Sequence, residues 1–294
     1  MKTRISAIAL ALFVFGMVCP TLYGATKLKA LIIDGQNNHD WKTTTPAMKW
    51  MLEETGRFTV EVFTATGAIP DDRQPKFSDY DVIVSNYNGQ DWPEAVCTAF
   101  TSYVRKGGGL VIVHAADNSF GNWADYNEMI GVGGWGGRNE KSGPMLYWQD
   151  GKIVRDESAG SGGTHGANHE FVVEARAEHP ILRGLPPKWM HASDEMYAKM
   201  RGPATNLTVI ATAFSAPDKG GTGKHEPILM VLKFGKGRVF HTVLGHDTRS
   251  MYGTGFEVTL ARGTEWAATG KVTLKPPKAD EMPADKVVSR EPAK

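Results

Sequence analysis

Imidazole is the side chain that titrates near neutral pH and also binds transition metals, and several of the nine histidines stand where chemistry is plausible. His114 ends a wholly apolar run at 110–114 (LVIVH), where Ser, Thr or Asp would more often mark a strand end. His39 and Asp40 lie in a polar stretch after an earlier apolar run, and His246 with Asp247 follows a later one. Asp194 and Glu195 are adjacent carboxylates. Neighbouring residues point in different directions, so either can enter a cleft beside an imidazole, one orienting the ring and the other acting as acid or base. Such a pair is also an ordinary feature of a solvated surface. His165 and His169, followed by Glu170, are separated by three residues in GTHGANHE. They can ligate a zinc- or manganese-like ion. The run is glycine-rich rather than helical, so the spacing does not force convergence, and a solvated loop also accounts for it. His179, before Pro180, reads as a turn residue, and His241, inside an apolar run, as a buried hydrogen-bonded one.

These groups need a scaffold that brings separate segments together, and the pattern of the chain supplies one. Residues 28–34, 58–62, 81–86 and 110–114 read as strands, the first and last nearly continuous in apolar residues, as strands buried on both faces must be. Helices are expected from about Thr45, with Pro46 in its first turn, and from Pro93 to the glycine triplet at 107–109. Strands alternating with helices imply right-handed crossovers. The expected fold class is α/β: a flavodoxin-like, doubly wound, mostly parallel sheet with helices on both faces. A glycine-rich insertion spans about 131–169 and carries a hairpin, 145–149 and 152–155, around Asp150-Gly151. Further strands are expected at 171–175, 207–213, 228–234 and 238–244, the last two joined by a tight Gly-Lys-Gly turn, with a closing helix near 256–268.

In such sheets ligands bind outside the carboxyl ends of the strands, where strand order reverses. That rule selects His39, Asp40, Asn86, His114, Asp117 and His246. Asn38, Asn88 and Asn118 fall in the same places, where capping or turn roles account for them. Trp41, Trp123, Trp135 and Trp148 fall in or beside the expected crevice loops. Aromatic faces suit the C–H faces of sugars, and His39, Asp40, Asn86 and Asp117 suit their hydroxyls. Tryptophans that merely pin glycine-rich loops would give the same pattern. The substrate-binding set is therefore His39, Asp40, Asn86, Asp117, Trp135 and Trp148.

Lys2 and Arg4 precede an apolar run at 5–18, then Pro20 and the small pair Gly24-Ala25, the pattern of a secretory signal peptide over 1–25. A lipidated Cys19 is the second reading. Export to the periplasm or outside the cell is the expectation, with no membrane span elsewhere. The chain of 294 residues then leaves one large domain, about 26–272, and a Pro- and charge-rich tail, 273–294, expected to be loose. With 33 basic and 32 acidic residues, charge is balanced and dispersed, which argues against nucleic acid and anionic membranes as partners. Only Cys97 remains beyond the leader, so no internal disulfide can form.

Six segments resemble the ThuA-like, trehalose-utilisation family, in that family's order: NNHDW (37–41), GGGLVIVHAAD (107–117), HPILRGLP (179–186), DEMY (194–197), EPILMVLKFGKGRVFHTVLGHD (226–247) and RGTEWAA (262–268). Together they span most of the mature chain, from about Lys27 to Gly270. The family is similar in fold to class I glutamine amidotransferases, which carry a nucleophilic Cys after a central strand. Here that stretch reads VIVHAAD, and Cys97 falls within an apolar helix, so thiolate amidotransfer is not expected. The resemblance implies a small carbohydrate substrate, including 3-keto sugars. A C–H beside a ketone is acidic, so a base can remove it, and elimination or hydrolysis at the neighbouring anomeric carbon can follow. His114 as base, Asp194 or Glu195 as acid or orienter, and His246 or a divalent transition metal as polariser would suffice. Two alternatives stay open: a non-catalytic sugar-binding module and a metal-dependent hydrolase of another small substrate.

Overall fold

The computed structural model describes residues 26–292, so the expected signal peptide and Cys19 lie outside the described residues. Strand β1 (Leu28–Asp34) is buried without interruption from Ala30 onward. Strands β2 (Phe58–Thr64) and β3 (Val82–Ser85) flank it, both parallel to it. The chain passes from β1 to β2 through helix α1 (Trp41–Glu54). Helix α2 (Glu94–Arg105) leads to β4 (Gly109–Val113), which pairs parallel to β3. A short helix α3 (Ala124–Ile130) precedes the hairpin β5 (Met145–Gln149) and β6 (Lys152–Asp156). The hairpin turn places Asp150 at φ 51° and Gly151 at φ 79°, the pair of left-handed residues such a two-residue turn requires. Then follow β7 (His169–Ala175), β8 (Lys188–Asp194), β9 (Leu207–Phe214), β10 (His225–Phe234) and β11 (Gly237–Thr242), and finally α4 (Thr248–Met251) and α5 (Thr254–Thr269).

All strands belong to one 11-stranded sheet, in the order β2-β1-β3-β4-β11-β10-β9-β7-β8, with β5 attached to β10 and β6 to β5. From β2 to β11 every pairing is parallel, and beyond β11 every pairing is antiparallel. The expectation of a mostly parallel sheet therefore holds for the core and needs correction for the rest. The cause is local: the tight turn between β10 and β11 cannot join parallel strands. Strand order reverses between β1 and β3.

Every residue of β4 is fully buried, so both faces of the core are covered. Helices α1, α4 and α5 pack on one another, and α5 lies along β4 and β11, while α2 and α3 also reach β11. The α5 contact is close: a Cβ on Gly263 would lie 2.1 Å from the Phe240 ring. Each Val, Leu or Ile buried here contributes about 1.5–3 kcal/mol.

The tail also departs from expectation. Met282 is buried, Met190 of β8 donates its N–H to Pro283 O (2.8 Å), and Thr254 N donates to Val288 O (2.8 Å). The segment 273–292 thus lies against the body, covering the open side of an edge strand, which composition alone does not reveal. No helix among the described residues is long and apolar enough to cross a membrane.

Candidate active site

The loop after β1, the turn after β4, the residues after β8 and the loop after β11 meet at one rim of the sheet. At the end of β4 the backbone of His114 turns to φ 46°, a left-handed conformation uncommon outside glycine. Its Nδ1 lies 2.7 Å from Val243 O. A carbonyl only accepts, so Nδ1 carries a proton, and Nε2 is the ring nitrogen left to face Glu195. The ring stacks on Tyr197 at 4.1 Å and is almost wholly buried.

Glu195, just past β8, stands at the centre of a group of histidines. Its Oε2 is 3.6 Å from His114 Nε2 and 3.8 Å from His39 Nε2, and its Oε1 is 3.3 Å from His165 Nδ1. His246 closes the group, its ring 4.5 Å from that of His39 and 5.7 Å from that of His114. His39 Nε2 also lies 3.1 Å from the Tyr197 hydroxyl and 3.0 Å from Asn38 Nδ2. One nitrogen or oxygen each of His39, His114 and Glu195 lies within 4.8 Å of the other two, a set able to hold a metal ion.

Asp194 holds this assembly together from beneath. Fully buried, its carboxylate receives His191 Nε2 (2.8 Å) and the backbone N–H groups of Glu195 (2.9 Å), Gly245 (2.8 Å) and His246 (3.0 Å). Burial opposes its charge, but His191, His114 and the Gly245 N–H outweigh burial and hold the carboxyl down at about 2. Asp194 thereby clamps the end of β8 to the loop after β11, fixing Glu195 and His246 together.

Burial, then the nearby His114 and His246, depresses His39 to about 4, so His39 is neutral at pH 7. Burial also works against a charged His114, but Glu195, Asp194 and the Val243 carbonyl turn the balance, and its pKa is raised. Glu195 resists ionisation through burial, yet His114, His165 and His246 lower it overall. The carboxylate is therefore ionised among imidazoles.

A crevice of about 390 Å³ opens onto Glu195 and His165, walled by Trp135, Tyr197 and the amides of Asn38, Asn88 and Asn118. That size is within the range of small-molecule sites, about 300–1,000 Å³. Gly163 allows the wall to close: at φ 87°, any Cβ there would lie 2.6 Å from the Trp135 backbone nitrogen. A larger cavity of about 580 Å³ beside the hairpin is lined by Tyr147, Lys199, Arg201 and Glu226 and by no imidazole, so the reactive groups belong to the smaller crevice.

Of the residues expected from sequence, His39, His114, Glu195, His246, His165 and Trp135 converge here. The others are placed elsewhere. Asp40 is exposed and starts α1, where its carbonyl receives the N–H groups of Thr43 and Thr44. Buried Asn86 donates to the Thr44 and Thr45 hydroxyls and joins β3 to α1. Asp117 is fully buried against His241 Nε2 (3.1 Å). Trp148 lies opposite His225 on the hairpin, under the Arg176 guanidinium. His165 and His169 are not part of one group of three or more metal-ligating side chains among the described residues; His169 Nδ1 turns to Ala167 O (2.8 Å) and its ring to Phe171. Trp123 packs among Phe120, Tyr126 and Trp92, in the loop-pinning role. Tyr197 and His191 were not singled out from sequence. Tyr197 follows the acidic pair by two residues, which was the available signal, whereas nothing in the sequence marks His191.

The match to the family model described as ThuA, trehalose utilisation, covers residues 29–267. The chain is 46% identical to a protein of Parabacteroides merdae described as ThuA-like, over 90% of this chain and 98% of that one, with a TM-score of 0.86. A second protein described as ThuA-like, from Bacteroides uniformis, shares the fold at 18% identity and a TM-score of 0.55, over 87% of this chain and 97% of that one. A cytoplasmic protein of Salmonella typhimurium is similar in fold at 13% identity and a TM-score of 0.50, over 82% and 99% of the two chains. No curated protein matches the chain. With four-fifths of its length matched and a near full-length relative at 46% identity, the chain belongs to the ThuA family.

Proposed function

We propose that the crevice binds a small carbohydrate and acts on its oxidised, 3-keto form by removing the proton beside the ketone. The carbohydrate class is supported by the family's description, trehalose utilisation. The observation that carries the chemistry is the Glu195–His165 pair at the mouth. His165 Nδ1 lies 2.9 Å from Gly166 O and 3.3 Å from Glu195 Oε1, both acceptors, so Nδ1 holds the proton and Nε2 the lone pair. An imidazole oriented in this way by a carboxylate is a general base. Its side chain is 41% exposed, against 3% for His114, so a substrate reaches His165 and not His114. The base role expected of His114 passes to His165, and Asp194 becomes a positioning residue.

In this reading His165 Nε2 takes the C2 proton of a 3-keto glycoside. The electron pair moves into the C2–C3 enolate; as the C3 ketone re-forms, a C1=C2 double bond forms and the C1–O bond breaks, and the proton now on His165 Nε2 passes to the leaving oxygen, which departs as an alcohol. The amides of Asn38, Asn88 and Asn118 bind hydroxyls, and Trp135 faces a C–H surface. We further propose that the leader formed by Lys2, Arg4 and the following apolar run exports the protein.

The test is turnover of a 3-keto glucoside by wild type and His165→Gln. Loss of a general base predicts a fall of about 10²–10⁴-fold. Equal turnover removes His165 from the mechanism. Saturable sugar binding without product in wild type would instead make the protein a binding module.

A further inference from the structure

We propose that His39, His114 and Glu195 hold a divalent transition-metal ion, with His246 at the fourth position. The starting point is an unpartnered imidazole nitrogen inside the cluster. His114 Nδ1 is committed to Val243 O, so Nε2 is the ring nitrogen available to ligate. Nε2 has no hydrogen-bond partner, although the residue is only 2% exposed. It faces the ionised Glu195, with Oε2 at 3.6 Å. A proton on Nε2 would join these two atoms alone, whereas a metal ion would join them and also engage His39 beside them.

His39 Nε2 is 3.8 Å from the same Oε2, and the three ligand atoms lie within 4.8 Å of one another. In a tetrahedral site with bonds of about 2.0–2.2 Å, ligand atoms are separated by about 3.3–3.6 Å. The cluster is therefore within a few tenths of an ångström of that spacing on the two edges that involve Glu195. His246 Nδ1, also buried and without a hydrogen-bond partner, belongs to the ring lying 4.5 Å from that of His39.

The surroundings are those of a metal site. A ligating imidazole ordinarily gives its other N–H to a carbonyl or carboxylate, which fixes the tautomer, and Val243 O does this for His114. Asp194 fixes the backbones of Glu195 and His246. The left-handed backbone of His114 is strain of the kind kept where a side chain must be aimed. Imidazoles with one carboxylate suit Zn(II), Mn(II), Fe(II), Co(II) or Ni(II) rather than Ca(II) or Mg(II). An ion there would stand beside the crevice, where it could polarise a substrate carbonyl.

The experiment uses the whole mature chain, purified without a histidine tag and stripped with chelator. Zn(II) and Co(II) are titrated by calorimetry, and Co(II) is followed by its visible absorption. The expected result is one ion per chain, with affinity lowered at least about 100-fold in both Glu195→Gln and His39→Ala. His169→Ala should bind as wild type does. Circular dichroism confirms that each variant is folded, and Glu195→Gln, which keeps the side-chain shape, decides the matter if His39→Ala is not. No stoichiometric binding would overturn the proposal, leaving a proton shared by His114 and Glu195 as the cation. Binding that survives in Glu195→Gln would overturn it as well. The metal inference does not depend on the sugar reading: turnover of a keto sugar with no stoichiometric ion binding refutes only the ion, and a bound ion without turnover refutes only the reaction.

Discussion

Replacing Asp194 by Asn keeps the side chain's shape and exchanges one acceptor oxygen for a donor. Each oxygen now serves two donors: Oδ1 the N–H groups of Glu195 and His246, and Oδ2 His191 Nε2 and Gly245 N. Whichever way the amide turns, its NH₂ faces two donors, and both lose their acceptor in a fully buried place. An unsatisfied buried donor costs about 1–3 kcal/mol, so the substitution should destabilise the fold by about 4 kcal/mol. That agrees with the cost of breaking a buried ion pair from one side, about 3–5 kcal/mol. For a domain of this size each kcal/mol lowers Tm by about 2–4 °C, giving a fall of about 8–16 °C. Urea unfolding of wild type and Asp194→Asn, with Asp194→Ala as a second variant that introduces no new donor, measures the loss. An Asn variant within about 1 kcal/mol of wild type would show that the clamp is not holding β8 to the loop after β11.

Two other outcomes follow from groups outside the crevice. His179 is depressed to about 4 by burial, with its Nδ1 accepting from Ile181 N and its ring against Trp266. The unfolded chain takes up this proton near pH 6.5 and the folded one only near 4. Its contribution is therefore complete above pH 6.5 and lost as pH falls through that window, to the extent of about 2 kcal/mol after allowance for solvent around a partly exposed ring. The stability gap between wild type and His179→Gln should shrink from pH 7 to pH 4.5 in urea titrations, and a constant gap refutes the assignment. Burial, with Asp91 nearby, pushes the Cys97 thiol up to about 11. The loss of thiolate at pH 8, partly offset by greater nucleophilicity, should make its reaction with a disulfide reagent about 10–20-fold slower than that of a free thiol. Labelling of the native protein at the free-thiol rate would contradict that burial.

Legibility in the sequence followed the strength of local patterns. Strands β1, β4 and β9 to β11 are apolar runs bounded by turn residues, and each falls within a few residues of where the pattern puts it. Helix α1 begins earlier than Thr45 because Asp40, not Thr45, precedes its first turn. Strand β8 went unseen, and its sequence, KWMHASD, has no β-branched residue and no clear alternation. Its place is decided by pairing with β7, which is a tertiary matter. The site divided in the same way. His39, His114 and His246 were legible because the rule about strand ends needs only strand positions. The same rule also selected Asp40, Asn86 and Asp117, because it cannot tell a side chain facing the crevice from one bonded beneath it. The amides of Asn38, Asn88 and Asn118 show the opposite error: residues that suit caps and turns line the crevice wall.

The division of labour across the sheet explains why no single motif marks this site. The parallel half presents its strand ends at the rim and delivers His39, His114 and His246, which are all uncharged or cationic groups. The antiparallel half, which reaches the same rim through β8, delivers the acid. Glu195, just past β8, is aimed at those rings only while the two halves are locked in register. Asp194 supplies the lock by spending its own charge on the backbone of both halves. Of two adjacent carboxylates, one is thus enclosed and bonded to the backbone of both halves while the other faces the imidazoles: Asp194 is fully buried, whereas the Glu195 side chain keeps 12% of its surface open to the crevice.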